Sequence, residues 1–167
     1  TTSIEKIKSI NTPKIFQLYF HKDKGLTKSM IDKCIECNID VLALTVDTIT
    51  GGNRERDLKT GFTSPPKLTF KSFFSFLFSP SWTLNYLLRE KFDLPFLSDY
   101  VKEGTDIKVS ISDYFSNMLD QDLSWKDIEN IRKVWPGKFC LKGIMSKEDA
   151  LKAIDCGVDA VMISNHG

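Results

Sequence analysis

The side chains of this chain that can do chemistry stand at the ends of four short apolar runs. Ile15-Phe16-Gln17-Leu18-Tyr19-Phe20 offers an amide at Gln17 and a phenol at Tyr19. Val41-Leu42-Ala43-Leu44-Thr45-Val46 offers a hydroxyl at Thr45, then a carboxylate at Asp47. Phe139-Cys140-Leu141-Lys142 ends on an ammonium. Val158-Asp159-Ala160-Val161-Met162-Ile163 breaks into Ser164-Asn165-His166-Gly167, which brings an imidazole. A lone Gln or Thr at a strand end usually just hydrogen-bonds its own loop. Gathered at one rim, these groups would form a reactive basin. An imidazole beside a carboxylate is a stronger base, because the imidazolium is stabilised by the negative charge. Asp47 could supply that charge to His166. Lys142 would favour a developing anion, or else pair with Asp47 or Glu148. Arg54 follows the flexible pair Gly51-Gly52 and has two readings. Its planar fork could clamp a substrate carboxylate, or it is a solvated arginine paired with Glu55 or Asp57. Arg56 is read as a surface residue.

These groups share a rim only if their runs are parallel strands. The patterning predicts that. Ser3 to Ile10 reads as a short helix with Ser3 as N-cap, and Pro13 marks a boundary. Thr27 to Glu36 places Met30, Ile31, Cys34 and Ile35 at helical spacing, ending at Asn38, which tolerates a left-handed backbone. The strands are apolar throughout, as strands covered on both faces by helices must be. Val158–Ile163 is expected to be buried in this way. Ser124 to Val134 opens with a capping-box-like Ser124-Trp125-Lys126-Asp127 and closes at Pro136-Gly137. Ser146 caps a helix carrying Ala150, Leu151, Ala153 and Ile154, which Gly157 terminates. Strands alternating with helices imply parallel βαβ units. Four of them make half of an eight-stranded barrel or most of a small doubly wound sheet. The carboxyl ends of barrel strands are where chemistry is placed.

Composition narrows the classes. The chain has 167 residues, 41% hydrophobic and 27% charged, with a net charge of +1. Its scattered basic residues leave no nucleic-acid footprint. Neither phosphate-loop glycine signature is present. No apolar run is long enough to span a bilayer, and the first residues lack the form of a signal peptide. Cys34-x-x-Cys37 would need two further ligands to hold zinc, so no metal is expected. Cys34, Cys37, Cys140 and Cys156 are read as buried or half-buried thiols, and His21 as an exposed loop residue. The histidine stands one residue before the end of the sequence, so a piece of a longer enzyme is expected.

A long departure separates the second strand from the Trp125 helix. Its middle, Phe70-Lys71-Ser72-Phe73-Phe74-Ser75-Phe76-Leu77-Phe78-Ser79-Pro80-Ser81-Trp82, is crowded with phenylalanine and flanked by Lys67, Arg89 and Lys91. Connections this long are usually functional. One reading is a helical excursion packed on its own barrel or on a neighbouring subunit. The other is an apolar patch that dips into a membrane surface while basic residues meet anionic headgroups.

Taken together, Phe16-Gln17-Leu18-Tyr19, Leu44-Thr45-Val46-Asp47-Thr48, Gly52-Asn53-Arg54-Glu55-Arg56-Asp57, Leu141-Lys142-Gly143-Ile144 and Gly157-Val158-Asp159 running into Ser164-Asn165-His166-Gly167 resemble the FMN-dependent 2-hydroxy-acid dehydrogenases and oxidases. The motifs keep the family's order across nearly the whole chain. The Phe-rich insertion, with Trp82 and the Asp113-Tyr114 region, is most similar to the respiratory, membrane-associated L-lactate dehydrogenase branch. The resemblance implies an α/β fold that is a partial (β/α)8 TIM barrel: about four central strands, with a long insertion after the second. Residues 1–167 would be the central part of one barrel domain and about 60–122 the insertion. FMN would lie at the carboxyl rim against Gln17, Thr45 and Lys142, the lysine facing the pyrimidine edge of the flavin. Tyr19 and Arg54 would bind the substrate. His166 would be the base and Asp47 its orienting partner. The implied reaction is oxidation of L-lactate to pyruvate, with electrons passed to a quinone or cytochrome. The enzyme would be a homo-oligomer, peripheral to the cytoplasmic side of the inner membrane. Glycolate and mandelate enzymes are the sibling alternatives, and an inactive barrel piece is the alternative for the isolated chain. Ile49 departs from the family's usual proline.

Overall fold

The computed structural model describes residues 3–48, 55, 59, 70–89 and 118–165. Among these the elements run α1 (Ile4–Ile7), β1 (Ile15–Tyr19), α2 (Lys24–Glu36), β2 (Val41–Thr45), α3 (Phe70–Leu77), α4 (Pro80–Leu88), α5 (Trp125–Val134), β3 (Lys138–Lys142), α6 (Lys147–Asp155) and β4 (Ala160–Met162). The chain divides into two compact units. Asn53–Ser112, with Thr1, forms one and holds α3 and α4; the other elements belong to the second.

In the second unit the four strands make one parallel sheet in the order β1-β2-β3-β4. Each strand lies beside its sequence neighbour, with no reversal of order. A doubly wound sheet reverses at a switch point, so the sequential order is that of a barrel wall. The register aligns Tyr19, Thr45, Lys142 and Met162 in one row and Gln17, Ala43, Cys140 and Ala160 in the row two residues earlier. Side chains alternate along a strand. These two rows therefore share one face, and the opposite face carries Leu18, Leu44 and Leu141, all fully buried, with Leu42 and Phe139. Helix residues Leu26, Met30, Ile31, Ile128 and Ile131 complete the core.

The helix ends repeat one device. After α2, Asn38 adopts φ +53°, and the Ile39 N–H returns to the Cys34 carbonyl at 3.0 Å. After α6, Gly157 adopts φ +72°, and the Val158 N–H returns to the Ala153 carbonyl at 3.0 Å. Both close the orphan carbonyls of the last turn and send the chain into a strand. Asp127 Oδ2 accepts from the Ser124 N–H at 3.0 Å, as the capping box predicts. At the amino end of the sheet, aspartates tie neighbours together. Asp40 Oδ2 accepts from Lys14 N–H (2.8 Å), and Asp159 Oδ2 from Phe139 N–H (2.9 Å).

Some expectations change. Helix α2 begins at Lys24, not Thr27, because Asp23 Oδ1 caps it by accepting from the N–H groups of Gly25 (2.8 Å) and Leu26 (3.1 Å). Helix α1 is a single turn, Ile4–Ile7. Strand β4 is shorter than Val158–Ile163 and exposed, since it is the edge of the sheet and has a partner on one side only. His21 is buried: the Leu119 segment pairs with it antiparallel, and its N–H donates to Thr27 Oγ1 at 3.2 Å.

In the first unit, Phe70, Phe73, Phe74 and Leu77 of α3 are all exposed. Their spacing, i, i+3, i+4 and i+7, makes one apolar stripe. Phe76 instead stacks on Trp82, with ring centroids 5.5 Å apart, and Trp82 stacks on Tyr86 at 5.2 Å. Thr83 Oγ1 donates to the Phe76 carbonyl at 2.8 Å, which fastens α4 to α3. No helix among the described residues is long and apolar enough to cross a membrane.

Candidate active site

The carboxyl ends of β1, β2 and β3 deliver five of the sequence-predicted site residues to one end of the sheet. Gln17 and Tyr19 lie on the same face of β1. The Gln17 Nε2 amide donates to Tyr19 Oη at 3.1 Å and to Thr45 Oγ1 on β2 at 3.0 Å. One amide thus fixes a phenol and a hydroxyl on two strands. Thr45 is buried, while Tyr19, Asp47 and Lys142 are half-buried and Gln17 is exposed. Lys142 sits beside Thr45 in the register, and its Nζ donates to Ser164 Oγ beyond β4 at 3.1 Å. Asp47 follows β2 by two residues and lies against Gly143, the residue after Lys142. His166 and Arg54 lie outside the described residues.

Electrostatics connect Tyr19 to Asp47. Burial, and then the negative charge of Asp47, push the Tyr19 phenol above its ordinary value, against the opposing hydrogen bond from Gln17. The phenol therefore stays protonated at neutral pH and keeps a proton to donate. His21 goes the other way. Burial holds its imidazole below the ordinary range, partly offset by Asp23 and the Tyr19 backbone. Cys34, Cys37 and Cys140 are buried and Cys156 half-buried, all as free thiols. Burial pushes Cys34 up to about 12, which makes it inert as a nucleophile. Among the described residues, no group of acidic, His or Cys side chains has the arrangement of a metal site.

The donor set fits a flavin. A hydroxyl and an ammonium from adjacent strands face one way with the carbonyl oxygen of the Gln17 amide, whose two N–H bonds go to Tyr19 and Thr45, and the pyrimidine edge of a flavin offers acceptors and an N–H donor to match. The row beneath them holds the small residues Ala43 and Cys140, so the sheet end has no bulky side chain there to obstruct a ring.

The sequence-level reading passed over two contributors. Ser164, the partner of Lys142, was visible only as one of several polar residues after the last strand. Gly143 was visible only as a glycine next to a strand end. Its signal was weak because glycine commonly ends strands for reasons of its own.

A parallel sheet wound strand by strand, with its polar side chains collected at the carboxyl ends, is the wall of a barrel enzyme. The chain belongs to the family of FMN-dependent dehydrogenases, whose match spans residues 1–167. It is 37% identical over 160 residues to an L-lactate dehydrogenase of Vibrio parahaemolyticus serotype O3:K6 (strain RIMD 2210633), covering 95% of this chain and 42% of that protein. Among solved structures, it is similar to the monotopic membrane protein (S)-mandelate dehydrogenase, with a TM-score of 0.84 and 29% identity over 99% of this chain and 44% of the other. It is also similar to a soluble mutant of the membrane-associated (S)-mandelate dehydrogenase from Pseudomonas putida, with a TM-score of 0.65 and 30% identity over 99% of this chain and 40% of the other. The chain thus spans about two-fifths of the length of these relatives, and its sheet is part of a (β/α)8 barrel.

Proposed function

We propose that the protein carrying this chain oxidises L-lactate to pyruvate with FMN and passes the electrons to a respiratory acceptor, a quinone or a cytochrome. The observation that carries this reading is the row Tyr19, Thr45, Lys142 at the rim, with Gln17 bonded to two of its members. It occurs in a member of an FMN-dependent family whose relatives include an L-lactate dehydrogenase.

When bound, FMN supplies the two-electron acceptor. The residues supply the rest. Gln17 and Thr45 hold the flavin edge, and Lys142 places its ammonium where negative charge develops. Tyr19, kept protonated, donates a hydrogen bond to the substrate, and Arg54 grips the substrate carboxylate with its fork. His166 takes the hydroxyl proton, and Asp47 orients the imidazole and stabilises its cationic form. The protein works as a homo-oligomer, with residues 1–167 as the central part of one barrel domain and about 60–122 as its insertion. The exposed phenylalanine stripe of α3 supports a peripheral membrane contact, which in this reading is with the cytoplasmic face of the inner membrane.

Anaerobic addition of L-lactate to the FMN-loaded protein is expected to bleach the flavin, and His166→Ala to abolish bleaching while FMN stays bound. Fast reduction in His166→Ala removes that residue from the base role. A second reading, (S)-mandelate as substrate, is favoured by the likeness to mandelate dehydrogenases. Bleaching by mandelate but not by lactate would decide for it.

A further inference from the structure

Gly143 carries the chain off the rim of β3 directly after Lys142. Its φ is +107°, a conformation that L side chains rarely adopt. The peptide joining it to Lys142 is tied on both sides. Val46 N–H donates to the Lys142 carbonyl at 2.9 Å, and Gly143 N–H donates to the Met162 carbonyl at 2.9 Å. Neither bond survives a sideways shift of this backbone.

Asp47 occupies the space where a side chain on residue 143 would stand. A Cβ there would lie 2.5 Å from Asp47 Cβ, 2.5 Å from Cγ and 2.9 Å from Oδ1. Carbon atoms in ordinary contact are about 3.5–4.0 Å apart. Rotating Asp47 about χ1 would carry Cγ and Oδ1 away but leave Cβ in place, because Cβ is fixed to the backbone. Relief would need the chain segments after β2 and β3 to separate at the point where Val46 and Lys142 are bonded.

We propose that Gly143 is a positioning residue, whose missing side chain is the seat of the Asp47 carboxylate and sets the place from which that carboxylate serves the base. The inference rests on the pairing of Asp47 with His166 proposed above. Any side chain at 143 displaces the carboxylate, even though residue 143 touches neither substrate nor flavin in this account.

The test is the pH dependence of anaerobic flavin reduction by L-lactate in the FMN-loaded protein, measured for wild type, Gly143→Ala, Asp47→Asn and the double variant. Asp47→Asn removes the charge that favours the imidazolium, so it slows reduction by roughly 10²-fold and moves the acid limb to lower pH. Gly143→Ala is expected to slow reduction comparably and to move the acid limb in the same direction. The double variant is then no slower than the slower single variant, as expected of residues that act as one unit. Rate losses that multiply, or a slow Gly143→Ala whose acid limb has not moved, overturn the proposal. An Asp47→Asn protein with wild-type rate and profile overturns the Asp47–His166 pairing itself, and the seat loses its purpose with it. If Gly143→Ala does not fold, adding Asp47→Gly removes the contacted atoms and is expected to restore soluble, flavin-loaded protein. No restoration would assign the glycine to its +107° backbone rather than to the Asp47 contact, and overturns the proposal.

Discussion

Replacing Lys142 with methionine removes one charge from the rim and keeps most of its bulk. Lys142 is half-buried, lies in register between Thr45 and Met162, and donates to Ser164 Oγ at 3.1 Å. Two unit charges about 4 Å apart at an effective dielectric near 20 interact by about 4 kcal/mol. Screening of a half-exposed ammonium lowers that to about 2–3 kcal/mol, close to the loss measured when one stabilising donor is removed from an active site. At 1.36 kcal/mol per tenfold, flavin reduction by L-lactate should slow by roughly 30- to 150-fold. The two-electron flavin potential should fall by about 40–65 mV, since about 30 mV corresponds to 1.4 kcal/mol. Lys142→Arg keeps the charge and should lose less. The assays are anaerobic stopped-flow absorbance and a redox titration of the FMN-loaded protein. A Lys142→Met protein that binds FMN with unchanged rate and potential would refute the charge argument. So would an arginine variant as slow as the methionine one, because shape rather than charge would then control the step.

Two further outcomes test other parts of the account. The imidazole of His21 is held below its ordinary value of 6.5 by burial. A folded state that disfavours the proton contributes stability in full above that value and loses it as pH falls through it. The urea midpoint of the wild type should therefore drop relative to His21→Leu as pH falls below about 6.5, and parallel curves would contradict this. Replacing Phe70, Phe73, Phe74 and Leu77 with serine should lower co-sedimentation with anionic liposomes by at least about tenfold, since each interfacial apolar side chain removed costs a sizeable part of the roughly 1.5–3 kcal/mol available on full burial. Unchanged sedimentation would assign the exposed stripe to another surface.

Residues whose position is set by their own strand could be read from the sequence. Gln17, Thr45 and Lys142 each follow a run whose continuous apolarity marks a covered parallel strand, and the register then aligns them without further information. The ends of α5 and α6 were equally legible, because the bonds of Ser124 and Ser146 are local. Features that depend on what lies opposite were not legible. The burial of His21 comes from the Leu119 segment, which returns after the long insertion. The exposure of β4 comes from its edge position, and its composition gives no sign of that. The start of α2 was hidden because Gly25 is a poor helix former, and the Asp23 cap outweighs it. Whether the sheet was wound once or twice could not be decided from the alternation of elements alone. The strand order decides it.

The most direct measurement is an experimental structure of the protein carrying this chain with FMN and pyruvate bound. Thr45 Oγ1 and Lys142 Nζ are expected within about 3 Å of acceptor atoms on the flavin's pyrimidine edge, and Gln17 Oε1 within about 3 Å of its ring N–H, with pyruvate between Tyr19 and the flavin. A flavin seated away from these three side chains, or at the amino end of the sheet beside Asp40 and Asp159, would contradict it.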